Sequence, residues 1–192
     1  MKRVFIIHGW GGFPEEAWFP WLKKEMETRG FEVQVPKMPH TDEPKIEVWV
    51  PFLRELINLP DEDTYLVGHS IGCQAILRYL SDLQENMKLG GIVLVAGWVH
   101  KLLGVYDKDE IEIARPWVET SINFESIKNH TKNITAIFSD NDEFVPPDNV
   151  AVFEEKLGAK TIMEHNKGHF DQSTGIKELP VVLKELLKMA RE

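Results

Sequence analysis

A chain of 192 residues in which 43% are hydrophobic has material for one substantial core and not two, so a single domain over 1–192 is expected. Its 22 Lys and Arg against 31 Asp and Glu, a formal charge of -9, argue against a surface that tracks nucleic-acid phosphates. The lone Cys73 excludes an internal disulfide, and the apolar run Val4 to Ile7 is too short for a signal-peptide core or a membrane span, so a cytoplasmic protein with no membrane partner is expected.

Val4 to Ile7 reads as a central strand buried on both faces, ending in the glycine-rich loop His8-Gly9-Trp10-Gly11-Gly12. Ala17 to Arg29 carries Trp18, Leu22 and Met26 at intervals of four, with Pro20 tolerable only in a first turn and Gly30 as the stop, which predicts a helix. Phe31 to Val35 alternates like a half-exposed edge strand. Ile46, Trp49, Leu53, Leu56 and Ile57 form the next helical face, and Pro51 predicts a break near Val50. A strand from Thr64 runs through the Gly-x-Ser-x-Gly stretch Gly68-His69-Ser70-Ile71-Gly72 into a helix whose face is Ile71, Ala75, Ile76, Tyr79, Leu80 and Leu83.

Gly91 to Ala96 is a further apolar strand, and Ile134 to Phe138 a fifth. Between them, 97–132 mixes charged runs with Trp98, Leu102, Leu103, Trp117 and Phe124; it is too long for a simple crossover and should hold short helices. It can act as a cap over a pocket, or its aromatics can complete the core beneath a surface excursion. A helix over Asn149 to Leu157, a short strand at Thr161 to Met163 and a last helix from about Ile176 complete the chain. Six strands alternating with helices predict an α/β fold with a doubly wound, mostly parallel six-stranded sheet and helices on both faces. Ligands of such sheets sit beyond the carboxyl ends of the strands, where the loops after Ile7, His69, Phe138 and Met163 converge.

The chemistry centres on Ser70. A strand that reverses into a helix at the serine strains its backbone and leaves no room for side chains at Gly68 and Gly72, while the unpaired first-turn N–H of Ile71 faces the place where an anion would form beside the hydroxyl. A serine needs a base, and the base a carboxylate. Among seven histidines, His169 in Lys167-Gly168-His169-Phe170, between the last strand and the last helix, has the best address. His69 and His165 compete less well, and His40, His100 and His130 fall in polar loops. For the acid, Ser139-Asp140-Asn141-Asp142-Glu143-Phe144-Val145-Pro146 follows the fifth strand; Asp142 best matches an Asp-x-x-Val-Pro ending, with Asp140 the alternative and Asp171 read as a helix cap.

The order Ser70, Asp142, His169, with His8-Gly9 after the first strand, resembles the α/β-hydrolase superfamily. More narrowly, Trp18-Phe19-Pro20-Trp21-Leu22-Lys23-Lys24, Tyr65 to Ser70, Gly91 to Val95 and Gly168-His169-Phe170 resemble the small YdeN-like and retinoblastoma-binding-protein-nine-like serine hydrolases. The resemblance implies a compact hydrolase fold without the two leading strands of larger members, catalysis by Ser70, Asp142 and His169, and an oxyanion hole made by the backbone N–H groups of Trp10 and Ile71. Ser139 departs from the glycine that larger relatives often place before the acid loop, which keeps Asp140 in view beside Asp142.

The activity so implied is hydrolysis of an ester, thioester or amide through an acyl-enzyme, with no cofactor and no metal. Its partner would be a small ester-like molecule, which His8, Gly9, Trp98, Trp117 and Phe144 are expected to contact. A protein-binding module on a weakened hydrolase fold is the alternative, although no protein partner is indicated by the residues. The loop after the first strand lacks the Gly-x-Gly-x-x-Gly spacing of a dinucleotide site.

Overall fold

The structure, a computed structural model, describes residues 1–191. Six strands form one wholly parallel sheet in the order β2-β1-β3-β4-β5-β6: β1 Arg3–Ile7, β2 Glu32–Gln34, β3 Thr64–His69, β4 Gly91–Val95, β5 Ile134–Ser139 and β6 Lys160–Glu164. The interior strands β3, β4 and β5 are buried along their full length, which explains why they read as continuous apolar runs rather than alternating ones. β2 is the edge strand that its alternation predicts, and β1 lies one place in from it, between β2 and β3.

Among the described residues there are seven helices: α1 Phe19–Glu27, α2 Ile46–Ile57, α3 Ile71–Ser81, α4 Lys108–Glu119, α5 Phe124–His130, α6 Asp148–Leu157 and α7 Pro180–Met189. α1 packs with α7, whereas α2, α3, α5 and α6 pack against one another in series. None is long and apolar enough to cross a membrane.

Two elements differ from expectation. α2 is not broken near Val50; it runs through Pro51. A proline at this position removes the bond to the carbonyl four residues back, that of Glu47. Pro51 and Glu47 are both exposed, so water can take the freed carbonyl, while Trp49, Val50, Leu53 and Ile57 anchor the opposite face. The last helix begins at Pro180 rather than near Ile176, because Gln172–Thr174 first makes a 3-10 turn and Leu179 is not helical. Proline at the first helical position loses no intrahelical bond.

Within 97–132, α4 and α5 account for the helices expected there. The segment is pinned to α3 by two buried polar side chains: Gln74 Nε2 donates to the Trp117 carbonyl at 3.0 Å, and Arg78 Nη2 donates to the carbonyls of Trp117 and Thr120, each at 2.8 Å. A guanidinium on the last carbonyls of α4 also suits the negative end of that helix.

In this fold the chain winds from β1 outward to β2 and then back across β1 to β3. The loops after β1 and β3 therefore diverge, opening a crevice at the carboxyl ends of these two strands.

Candidate active site

Ser70 follows directly on β3 and caps α3, with φ 53° and ψ -122°. A serine in that region of backbone space is strained by about 1–3 kcal/mol, and the surrounding packing must hold it there. The holding is visible: Ser70 N–H donates to the Val95 carbonyl at 2.9 Å on β4, and the Ser70 carbonyl accepts from Cys73 N–H at 3.0 Å. A Cβ at Gly68 would lie 2.8 Å from Cys73 N, and one at Gly72 would run into the carbonyl oxygen of Ile7 and lie 2.7 Å from that of His8. Both glycines thus let α3 seat against the ends of β1 and β3. Gly72→Ala is expected to destabilise the protein by about 2–3 kcal/mol, since the obstructing atoms are backbone and cannot rotate away. A urea midpoint equal to that of wild type would contradict this.

The crevice holds a cavity of about 280 Å³ lined by Ser70, His169, Gly9, Trp10, His69 and Phe144, together with Leu102, Gly104, Val105, Glu16, Glu110 and Asp171. Ser70 and His169 thus share one wall-bounded space, though 99 residues separate them in the chain. His169 is 11% exposed in its side chain, and Asp142 behind it only 2%. His169 Nδ1 lies 2.9 Å from Asp142 Oδ2 and 3.1 Å from Oδ1. The carboxylate is held in turn by the backbone of its own loop, with Oδ1 accepting from Phe144 N–H at 2.8 Å and Val145 N–H at 3.1 Å. A carboxylate at Nδ1 makes that nitrogen the N–H donor and leaves Nε2, on the opposite edge of the ring, as the unprotonated acceptor.

Asp140, the alternative acid, is occupied elsewhere. Its Oδ2 lies 2.6 Å from Nδ1 of the exposed His165 and its Oδ1 accepts from Asn166 N–H at 2.9 Å. These bonds hold its carboxyl below the usual carboxylate range, the Asn166 N–H contributing most. Asp171 caps the 3-10 turn before α7, through Thr174 N–H and the Ser173 hydroxyl, rather than the last helix itself.

His69 holds the His169 backbone from the other side. Its Nε2 lies 2.7 Å from the His169 carbonyl, so it carries the proton there. Burial, with the neighbouring His169 adding to it, pushes the His69 pKa down to about 4, which keeps this imidazole neutral at pH 7. Trp18 Nε1 donates to the next carbonyl, that of Phe170, at 3.0 Å.

The remaining expected site residues divide. Gly9, Trp10 and Phe144 line the cavity, with the Trp10 indole fixed by its Nε1 donating to the Asp42 carbonyl at 2.9 Å and Phe144 packed edge-on to His169. Ile71 is the first residue of α3, so its N–H has no acceptor within the helix. Trp98, Trp117 and His8 do not line the cavity. Trp98 and Trp117 are fully buried in the core, where Trp117 meets Trp49 edge-on and donates from Nε1 to the Pro44 carbonyl at 2.9 Å; their role is to hold 97–132 down. His8 is buried too, and its Nε2 accepts from Met38 N–H at 3.0 Å, tying the end of β1 to the loop before α2. His130, expected in a polar loop, is likewise buried, with Nδ1 2.9 Å from the Met87 carbonyl.

Sequence reading missed the carboxylates of Glu16, Glu110 and Asp171 in the cavity lining. Burial raises the Glu16 carboxyl above the usual range, and its Oε2 is buried without a hydrogen-bond partner. The available signal was its place in the loop after β1, at the carboxyl edge of the sheet. Cys73 is inert core: its thiol is buried, donates to the Val95 carbonyl and has its pKa driven upward by desolvation. Among the described residues no cluster of three His, Cys, Asp or Glu could hold a metal ion.

A parallel sheet of this order, with a strained serine at the β3–α3 turn, defines the α/β-hydrolase fold. Solved structures agree: the crystal structure of the Bacillus subtilis ydeN gene product superposes with a TM-score of 0.91 at 32% identity over all of both chains. Est1E from Butyrivibrio proteoclasticus shares the fold at a TM-score of 0.70 and 15% identity, over all of this chain and 89% of its own. The chain belongs to the serine hydrolase family, whose model matches residues 4–188. YdeN of Bacillus subtilis (strain 168) is 34% identical over 181 residues, covering 94% of this chain and 92% of its own. The serine hydrolase RBBP9 of Rattus norvegicus is 28% identical over 191 residues, 98% of this chain and 97% of its own.

Proposed function

We propose that the protein hydrolyses carboxylic esters, and by the same chemistry thioesters or amides, through a Ser70-His169-Asp142 triad. The observation that carries this reading is the His169 imidazole, held by Asp142 at 2.9 Å, opening on the same cavity as a serine in an elbow conformation. Ser70 attacks the carbonyl carbon while His169 Nε2 takes its proton, and Asp142 stabilises the imidazolium that results. The N–H groups of Trp10 and Ile71 receive the oxyanion. His169 then protonates the leaving group, and a water, activated by the same imidazole, releases the acyl chain from Ser70.

Labelling of the pure protein with a fluorophosphonate probe, beside hydrolysis of short p-nitrophenyl esters, tests this directly. Label and hydrolysis should both be present in wild type and lost in His169→Ala. A folded wild type that neither labels nor hydrolyses would overturn the reading and bring a protein-binding role forward.

The cavity favours a small neutral substrate. Its wall carries the carboxylates Glu16, Glu110 and Asp171 and no Lys or Arg, beside apolar Trp10, Leu102, Val105 and Phe144. Three carboxylates lining one crevice repel an anion. We therefore expect a p-nitrophenyl ester of a dicarboxylic acid, bearing a free carboxylate, to react roughly 10-fold more slowly in kcat/KM than the neutral ester of equal length, with the gap narrowing as salt screens the charges. Equal rates at low ionic strength would contradict this. Leu102, Gly104 and Val105 in the lining support reading 97–132 as a cap on the cavity, anchored through Trp117 and Arg78. The lone buried Cys73 supports a cytoplasmic setting.

A further inference from the structure

The loop that carries His169 has an unusual backbone. Asn166, Gly168 and Phe170 all lie in the left-handed region, at φ 56°, 52° and 57°. Glycine enters that region freely and asparagine at modest cost, but phenylalanine does so only when its surroundings compel it. A segment alternating in and out of this region has no regular ladder of its own to satisfy its N–H groups.

Those groups are taken instead by the loop after β5. Lys167 N–H donates to Ser139 Oγ at 2.9 Å, Asn166 N–H to Asp140 Oδ1 at 2.9 Å and Gly168 N–H to Asn141 Oδ1 at 2.8 Å, while the His169 ring meets Asp142. Four consecutive side chains, Ser139 to Asp142, thus hold four consecutive residues, Asn166 to His169. Asn141 is the centre of the set, because its Oδ1 also accepts the Ser139 hydroxyl at 2.8 Å and so aims that oxygen's lone pairs at Lys167 N–H. The acid and base loops are already adjacent through the β5–β6 pairing, which brings Ser139 opposite Glu164. That pairing alone does not fix a loop five residues further on.

We propose that Ser139, Asp140 and Asn141 form a side-chain clip that positions His169 against Asp142, with Asn141 the positioning residue on which the clip depends. For the reaction this rests on the hydrolase reading above; for the geometry it does not. An imidazole displaced by about 1 Å loses its line to the serine proton, which can cost on the order of 100-fold in rate with substrate binding intact. Asn141 touches no substrate in this account, and its effect passes wholly through the His169 loop.

The test compares wild type, Asn141→Ala and Asn141→Asp, the last keeping an oxygen acceptor for both donors. Each is read twice: by kcat and KM on a short p-nitrophenyl ester, and by the proton NMR signal of the hydrogen-bonded His169 Nδ1–H, assigned by its loss in His169→Ala. Asn141→Ala is expected to lower kcat roughly 10- to 100-fold with KM changed less than about threefold, and to weaken or abolish the Nδ1–H signal. Asn141→Asp is expected to restore both. A signal and kcat unchanged in Asn141→Ala would overturn the proposal, as would a loss carried mainly by KM. Should Asn141→Ala fail to fold, Ser139→Ala, which removes one link, takes its place under the same criteria. If wild type itself shows no hydrolysis and no labelling, the hydrolase reading fails, and the NMR comparison alone decides the clip.

Discussion

Ser70→Ala is expected to lower kcat on an activated ester by roughly 10⁴- to 10⁶-fold and to abolish fluorophosphonate labelling, while leaving the fold intact. Removal of the hydroxyl deletes the atom that would form the acyl bond, so no other group of the site can substitute for it in kind. The backbone reason for an intact fold is equally specific: the Ser70 N–H to Val95 and its carbonyl to Cys73 N–H belong to the main chain and survive the substitution. Alanine at φ 53° carries much the same strain as serine. Burst kinetics and intact-mass analysis after labelling provide the check. A variant retaining more than about one hundredth of the wild-type kcat would show that Ser70 is not the nucleophile.

Asp142→Asn is expected to lower kcat by about 10⁴-fold, for a reason of proton placement rather than of packing. The asparagine oxygen can still accept from Phe144 and Val145 N–H, as Asp142 Oδ1 does at 2.8 and 3.1 Å, so the loop keeps its shape. Its amide nitrogen is then left facing His169 Nδ1, where a carboxylate oxygen stood at 2.9 Å. A donor facing Nδ1 selects the tautomer with its proton on Nε2, and an imidazole in that state cannot accept a proton from the serine. The comparison that isolates this effect is Asp140→Asn, which disturbs only the pair with His165 and the Asn166 N–H and is expected to cost far less. If Asp140→Asn proved the more damaging of the two, the acid would have been misassigned.

These expectations show how unevenly the site was legible in the residues. Ser70 was plain because its signal is local: a strand, a turn that excludes side chains at two flanking positions, and a helix are all written within one short stretch. His169 and Asp142 were legible through topology, since a parallel sheet must present the loops after β5 and β6 at the same edge as the elbow. The choice of Asp142 over Asp140 was less so, because two aspartates two residues apart differ only in which way the turn points them. In the folded chain Asp140 pairs with His165 and Asp142 with His169.

The pocket residues illustrate the limit. Trp98 and Trp117 sit in a stretch whose sequence shows no clear periodicity, and nothing in such a stretch distinguishes a side chain facing a cavity from one facing the core. Both are buried in the core, and the cavity is walled by their neighbours Leu102, Gly104 and Val105. Glu16 and Asn141 escaped notice because a single carboxylate or carboxamide in a polar loop has no pattern. Their significance comes from what lies across the gap: His169 near Glu16, and the Gly168 N–H against Asn141.

The sequence by itself determined the class of sheet, the order of its elements, the elbow and the edge at which any chemistry must occur, because periodicity, glycine placement and parallel topology are local or nearly so. Only the tertiary structure decided the unbroken course of α2 through Pro51, the shape and charge of the cavity, and the grip of Ser139 to Asp142 on the His169 loop. Each of these depends on which groups meet across long stretches of chain, and a buried hydrogen bond or a shared cavity wall exists only once the partners are brought together.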